Sequence, residues 1–138
     1  MLRVRTIAAL TAAALLGPAA AAEARTVHAD NIVSPTKLIR CYAVQYGGGI
    51  ECSASYLRRI GELDPYIALK PRGRARYGER GDYPGYTTAR RTLHYGDRWQ
   101  PRRKARGISC TIRSASGLTC RNRDGHGFVL VNGGVRRF

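Results

Sequence analysis

The chain has 138 residues, with 24 Lys and Arg against 9 Asp and Glu, a formal net charge of +15 and four cysteines. A chain of this length forms one domain at most. No apolar run is long enough to span a bilayer, so the sequence predicts no transmembrane segment.

Residues 1–24 have the pattern of a secretory signal peptide. Arg3 and Arg5 precede an uncharged run over Ile7–Leu16, and the alanines that follow offer A-x-A cleavage options ending at Ala22 or Ala24. This pattern predicts export through the membrane and a secreted or extracytoplasmic location. The alternative is an N-terminal helix that is not cleaved.

The segment 25–33 is polar, and we expect it to be a flexible tail. Ser34-Pro35 then opens a single domain over 34–138. Lys37–Gln45 alternates in a way typical of a strand, and Ile50–Tyr56 returns after a glycine-rich turn, which predicts a first hairpin.

The central third has weaker signals. Tyr56–Leu63 is compatible with one short helix, and Asp64-Pro65 predicts a turn. Lys70–Gly85 is rich in Gly, Pro and Arg with almost no aliphatic residues, so we expect an exposed loop. Tyr86–Tyr95 has the pattern of a strand.

The last third predicts an antiparallel meander. Gly107–Arg113 and Gly117–Asn122 form one hairpin, His126–Val131 adds a strand, and Asn132-Gly133 favours a type I′ turn. Val135–Phe138 returns as a last short strand. The fold class is therefore all-β, mainly antiparallel, with about six or seven strands.

The cysteines predict two disulfides, because an exported chain meets an oxidising compartment and no thiol is left over. Four cysteines allow three connectivities. We favour Cys41–Cys52 and Cys110–Cys120, since each pair flanks a glycine-bearing turn. The CxxC pairs of a zinc site are absent, so the sequence predicts no metal site and indicates no cofactor.

A pattern of Gly, aliphatic, polar and Cys occurs three times, at Gly49–Cys52, Gly107–Cys110 and Gly117–Cys120. Positions two apart in a strand share a face, so each cysteine should lie beside its aliphatic neighbour on the buried side. Matches of four residues arise too readily by chance to indicate a duplication.

Charge is the largest anomaly of the sequence. Arginine supplies 21 of the 24 basic residues. Guanidinium groups bind phosphate and carboxylate bidentately and stack on aromatic rings, which favours non-enzymatic binding of a polyanion such as a cell-envelope polymer, nucleic acid or an acidic glycan. The alternative is that the arginines reflect codon composition or solubility. The predicted binding residues are Arg72, Arg74, Arg76, Arg80, Arg102, Arg103, Lys104 and Arg106.

Catalysis has thinner support. A small basic domain with disulfides is compatible with a ribonuclease-like hydrolase, for which Glu51, His94 and His126 are the candidate acid and base groups. No histidine has a partner nearby in the sequence, so a turn role for His126 and a solvent-facing role for His94 are favoured. A third hypothesis is a structural interaction module of the cell envelope. In each case we expect a monomer.

The C-terminal meander resembles a family of small exported actinobacterial proteins catalogued as a domain of unknown function. The resemblance covers about Val33–Phe138, and it implies export, two disulfides and a compact domain, but no catalytic residue. Lys37-Leu38 and Lys70–Gly85 depart from the family pattern, which places the charge of this chain outside it. The matching residues are Gly117–Cys120, Asn122, Gly125–Phe128, Leu130 and Phe138, with Ser34-Pro35, Ile39–Cys41, Cys52, Leu93, Tyr95-Gly96 and Gly107–Cys110.

Overall fold

A computed structural model describes residues 23–58, 61–81 and 90–138, and these residues contain twelve β-strands and one turn of 3-10 helix, Arg103–Ala105. The strands are β1 (Thr26–Val27), β2 (Asn31–Val33), β3 (Ile39–Ala43), β4 (Ile50–Ala54), β5 (Asp64–Leu69), β6 (Arg76–Arg80), β7 (Arg91–Thr92), β8 (Arg98–Trp99), β9 (Ser109–Arg113), β10 (Gly117–Arg121), β11 (Gly127–Val131) and β12 (Gly134–Arg137).

The strands form two six-stranded sheets. The N-terminal sheet has the order β6-β5-β4-β3-β2-β7, and the C-terminal sheet has the order β1-β8-β9-β10-β11-β12. Neighbours are antiparallel except for two pairs, β1 with β8 and β2 with β7, which are parallel. The predicted all-β class is confirmed, with more strands than the six or seven expected.

The core lies between the sheets, where side chains from both form one buried cluster. Trp99, Phe128 and Ile67 are among its fully buried members, and the Trp99 indole N–H donates to the Ala29 carbonyl at 2.8 Å. Along each strand, residues that face the core alternate with residues on the outer face of the sheet, because successive side chains point to opposite sides.

Both predicted disulfides are confirmed. Cys41 lies opposite Cys52 on β3 and β4, and Cys110 lies opposite Cys120 on β9 and β10. The aliphatic residue two positions before Cys52, Cys110 or Cys120 is buried with its cysteine, as the repeated pattern predicted. The cystines therefore belong to the core and join strands that already share a ladder.

Several element predictions were wrong. The segment 25–33 is not a flexible tail, because it supplies β1 and β2 and buries Val27 and Ile32. The described part of Tyr56–Leu63 forms turns and no helix, and Asp64-Pro65 begins β5 instead of a turn.

Two further predictions need correction in part. The predicted loop Lys70–Gly85 contains β6 and a buried Ala75, and its last four residues lie outside the described ranges. The predicted strand Tyr86–Tyr95 is shortened in its described part to the two residues of β7.

The predicted signal peptide lies outside the described residues except for Glu23 and Ala24. In the part of the chain that the structure describes, no helix has the length and hydropathy needed to cross a membrane. Two disulfides are consistent with an extracytoplasmic protein.

Candidate functional site

The turn Asn122–His126, between β10 and β11, anchors the first of two arginine-rich segments, residues 70–76 and 102–106. The Asn122 amide donates to the carbonyls of Lys70 at 3.0 Å and Gly73 at 2.6 Å. The backbone N–H of His126 donates to the side-chain oxygen of Asn122 at 3.1 Å. Asn122 thus closes its own turn and holds a distant loop, and His126 lies at the end of that turn.

Asp124 strengthens this anchor. Its carboxylate accepts the Gly73 backbone N–H at 2.7 Å and the Arg72 guanidinium at 2.9 Å. The Gly73 hydrogen bond, followed by the Arg72 charge, outweighs desolvation and lowers the pKa of Asp124. The carboxylate is therefore ionised at neutral pH and already engaged by Arg72.

The two arginine-rich segments meet at Arg123. The Arg123 N–H donates to the Pro71 carbonyl at 3.3 Å, which belongs to the first segment. The Arg123 side chain covers Gly107, just after the second segment, so closely that a Cβ there would collide with its Nε. Two loops that are distant in the sequence thus both lie next to Arg123.

The predicted binding residues divide into three groups. Arg74 and Arg76 are exposed in the first segment, and Arg102, Arg103 and Arg106 are exposed around the 3-10 turn, to which Lys104 contributes its backbone. Arg72 is bound to Asp124, although its side chain is 73% exposed. Arg80 binds the buried carboxylate of Glu51.

A second set of arginines, which the sequence analysis missed, lies on the outer face of the C-terminal sheet. Arg113 and Arg121 are on this face because they alternate with the buried Ile112 and Cys120. We call Arg98, Arg113, Arg121 and Arg136 the arginine face, and all four are exposed. The register places one row across five strands: Arg98, Thr111, Thr119, Val129 and Arg136.

The arginine face carries unopposed charge. Within the described residues none of its four arginines has a carboxylate partner. The two side-chain carboxylates of residues 91–138, those of Asp97 and Asp124, are bound to Arg25 and Arg72. With neighbouring strands about 4.8 Å apart, the row across β8–β12 extends about 19 Å. This row is long enough to contact several repeats of an anionic polymer.

Glu51 belongs to a buried polar cluster on the outer face of the N-terminal sheet. The Tyr42 hydroxyl donates to its carboxylate, and Arg80 donates to Glu51 Oε1 at 2.8 Å and to the Tyr42 hydroxyl oxygen at 2.9 Å. The Arg80 guanidinium also lies 4.7 Å from the centre of the Tyr66 ring. Arg80 therefore neutralises an internal carboxylate instead of extending the basic surface.

His94 lies in a separate network. Its Nδ1 is 3.0 Å from the Arg25 guanidinium, and its backbone N–H donates to Asp97 at 2.7 Å. Burial alone would raise the pKa of Asp97, but the Arg25 hydrogen bond and the His94 N–H outweigh burial and lower it. The described contacts thus place Glu51, His94 and His126 in three different networks and do not assemble an acid–base pair.

Two further observations concern other kinds of site. The described residues contain no group of three or more His, Cys, Asp and Glu that could hold a metal ion. A cleft of about 620 Å³ lies beside Tyr66 and Tyr77, and its lining includes both Arg58 and Glu79. It offers no excess of positive charge to an anion.

Comparisons of the chain with protein-family models, with curated proteins and with solved structures found no match. The resemblance to a family of exported actinobacterial proteins therefore stays a prediction.

Proposed function

We propose that this protein is exported and binds an extended polyanion, without catalysis, through the arginine face. The observation that carries the proposal is four exposed arginines on one sheet face with no carboxylate partner within the described residues. The shared chemistry of the ligand is a repeating phosphate or carboxylate, as in envelope polymers, nucleic acids and acidic glycans.

The composition of the face supports contact with a polymer backbone. The positions between the arginines are Thr111, Thr119 and Val129, which are small and half-buried, so a chain can approach the sheet closely. Guanidinium groups bind phosphate and carboxylate bidentately.

The segments around Arg123 form a second basic surface, and a matched pair of variants separates the two. The face variant changes Arg98, Arg113, Arg121 and Arg136 to Gln. The loop variant changes Arg74, Arg76, Arg102 and Arg106 to Gln. Both remove four charges, and neither touches the Arg72–Asp124 or Arg80–Glu51 pairs.

Binding to single-stranded DNA, heparin and a teichoic-acid preparation is measured as salt rises. Each lost phosphate contact lowers the slope of log affinity against log salt by about 0.7 on single strands, so the face variant should lose about 3 in slope if all its contacts are used. The loop variant should lose less. Equal losses would mean that only net charge matters, and a larger loss in the loop variant would assign binding to the segments around Arg123.

A further inference from the structure

The two sheets repeat one strand plan. β1–β6 form the first half of the chain and β7–β12 the second half. In each half the second to sixth strands form an antiparallel meander in sequence order. The first strand leaves its own half and pairs in parallel with the second strand of the other half. The two halves therefore exchange their first strands.

The disulfides occupy the same place in both halves. Each joins directly opposite residues of the third and fourth strands, Cys41 with Cys52 and Cys110 with Cys120. The residue opposite the first cysteine on the second strand is fully buried in both halves, Ile32 beside Cys41 and Trp99 beside Cys110.

A glycine contact also repeats. Gly49 and Gly117 lie at the start of the fourth strand, with φ of 93° and 69°. A Cβ on either would collide with a carbonyl oxygen of the fifth strand, that of Leu69 or that of Leu130. A sequence that merely favours β-strands need not place a positive-φ glycine against the equivalent fifth-strand carbonyl in both halves.

The sequences of the two halves are also similar at a few positions. Arg25-Thr26-Val27-His28 and Arg91-Thr92-Leu93-His94 are 66 positions apart, as are Pro35 and Pro101. The two parallel contacts are not in identical register, because Val27 lies opposite Trp99, whereas Arg91 lies opposite Ile32. Compared with β1 on β8, β7 is thus shifted by two residues along β2.

We infer that the chain is a tandem duplication of a six-strand module, and that its two halves hold each other by exchanging first strands. The repeated cysteine pattern alone is too short to indicate a duplication, and the inference rests on the strand order and the strand pairing instead. The exchange includes hydrogen bonds from Arg98 N–H to the Arg25 carbonyl at 2.9 Å and from Leu93 N–H to the Val33 carbonyl at 3.0 Å. Exchange of an identical element between two copies is a common route to dimers.

The disulfide positions make the inference testable in the full chain. Neither disulfide crosses between the halves, so the covalent link between them is the chain between β6 and β7. A protease site introduced in the segment 82–89 and cut in the oxidised protein removes that link. The halves should then co-elute in size-exclusion chromatography and unfold in one transition whose midpoint rises with protein concentration. Elution as two separate folded fragments would overturn the inference that the halves hold each other by exchanging first strands.

A cysteine pair tests the exchange itself in the same cleaved protein. Thr26 and Arg98 lie opposite each other across the two halves, so T26C/R98C should join the fragments in a non-reducing denaturing gel. The matched control T111C/T119C lies opposite within the second half and should leave them separate. Fragments of T26C/R98C that separate as readily as the control would show that the first strands are not exchanged.

Discussion

Substitution of Gly117 by Ala should destabilise the protein more than substitution of Gly133, although both glycines have positive φ, 69° and 91°. A Cβ on Gly117 would collide with the Leu130 carbonyl oxygen and lie 2.9 Å from the Val131 Cα, whereas a Cβ on Gly133 would have no atom within 4 Å. The comparison therefore separates the cost of the backbone conformation from the cost of the contact between strands.

The magnitudes follow from these two environments. A positive φ costs a residue with a Cβ about 1–2 kcal/mol, which is the whole expected loss for Gly133→Ala. Displacing the β11 backbone adds about 1–3 kcal/mol, by analogy with overpacked cores. Gly117→Ala should thus lose about 2–5 kcal/mol in total. Gly49→Ala should match it within about 1 kcal/mol, because the Leu69 carbonyl has the same role.

Urea unfolding of the oxidised proteins measures these differences, with unchanged slopes as the sign that two-state unfolding holds. Gly134→Ala is a further control, because a Cβ there meets no atom within 4 Å and the backbone does not have positive φ. A loss for Gly117→Ala no greater than that for Gly133→Ala would refute the reasoning, since β11 would then accommodate the methyl group without cost.

Two other predictions concern alkaline stability and the disulfides. Burial, and then the hydrogen bond to Glu51, raise the pKa of the Tyr42 hydroxyl, so its contribution to stability is full below the unfolded pKa of about 10 and is lost as pH rises towards the folded pKa. Tyr42→Phe should flatten the fall of the urea midpoint above about pH 10, and an unchanged fall would contradict this. Replacing Cys110 and Cys120 by Ala should cost about 3 kcal/mol for a separation of 10 residues, and the Cys41–Cys52 pair should cost the same within about 1 kcal/mol. Calorimetry of the two Cys-to-Ala double variants measures these losses of stability. A loss of stability in only one of the two variants would contradict the chain-entropy estimate.

The hairpins and disulfides could be predicted because their signals are local. β3 and β4, and β9 and β10, alternate apolar and polar residues, and glycine lies in or directly next to the short turn of each hairpin. A cysteine that faces the core on each strand of a hairpin lies opposite its partner once the turn fixes the register. Few contacts outside the hairpin are needed for that inference.

β5 and β6 were missed because long-range contacts form them. Pro65 cannot donate to a ladder, but its position in β5 is paired with β6 alone, and its carbonyl accepts the Ser53 hydroxyl at 2.7 Å. β6 has no aliphatic residue, and the ring of Tyr66 covers its Gly78. Neither feature can be read from the segment itself.

The exchanged strands and the arginine face were missed for a related reason. Val27 and Leu93 are single aliphatic residues in polar segments, and each is buried through a strand of the other half. Arg98 and Arg136 join Arg113 and Arg121 on one face only when the register of five strands is known. Composition indicated an affinity for anions, and the sheet order assigned that charge to a surface.

The proposed duplication suggests why, within the described residues, the N-terminal sheet differs at the place that corresponds to the centre of the arginine face. One position from each disulfide, towards the hairpin turn, lies a pair of opposite residues. This pair is Tyr42 with Glu51 in the first half and Thr111 with Thr119 in the second. At this position the first half holds a buried carboxylate, which binds Arg80 internally and so takes that guanidinium away from the surface. The second half has two uncharged hydroxyls between unpaired arginines. On the proposed duplication, equivalent backbone positions have diverged into an internal ion pair and an open surface. The proposed binding then predicts one polyanion segment for each chain, on its C-terminal sheet.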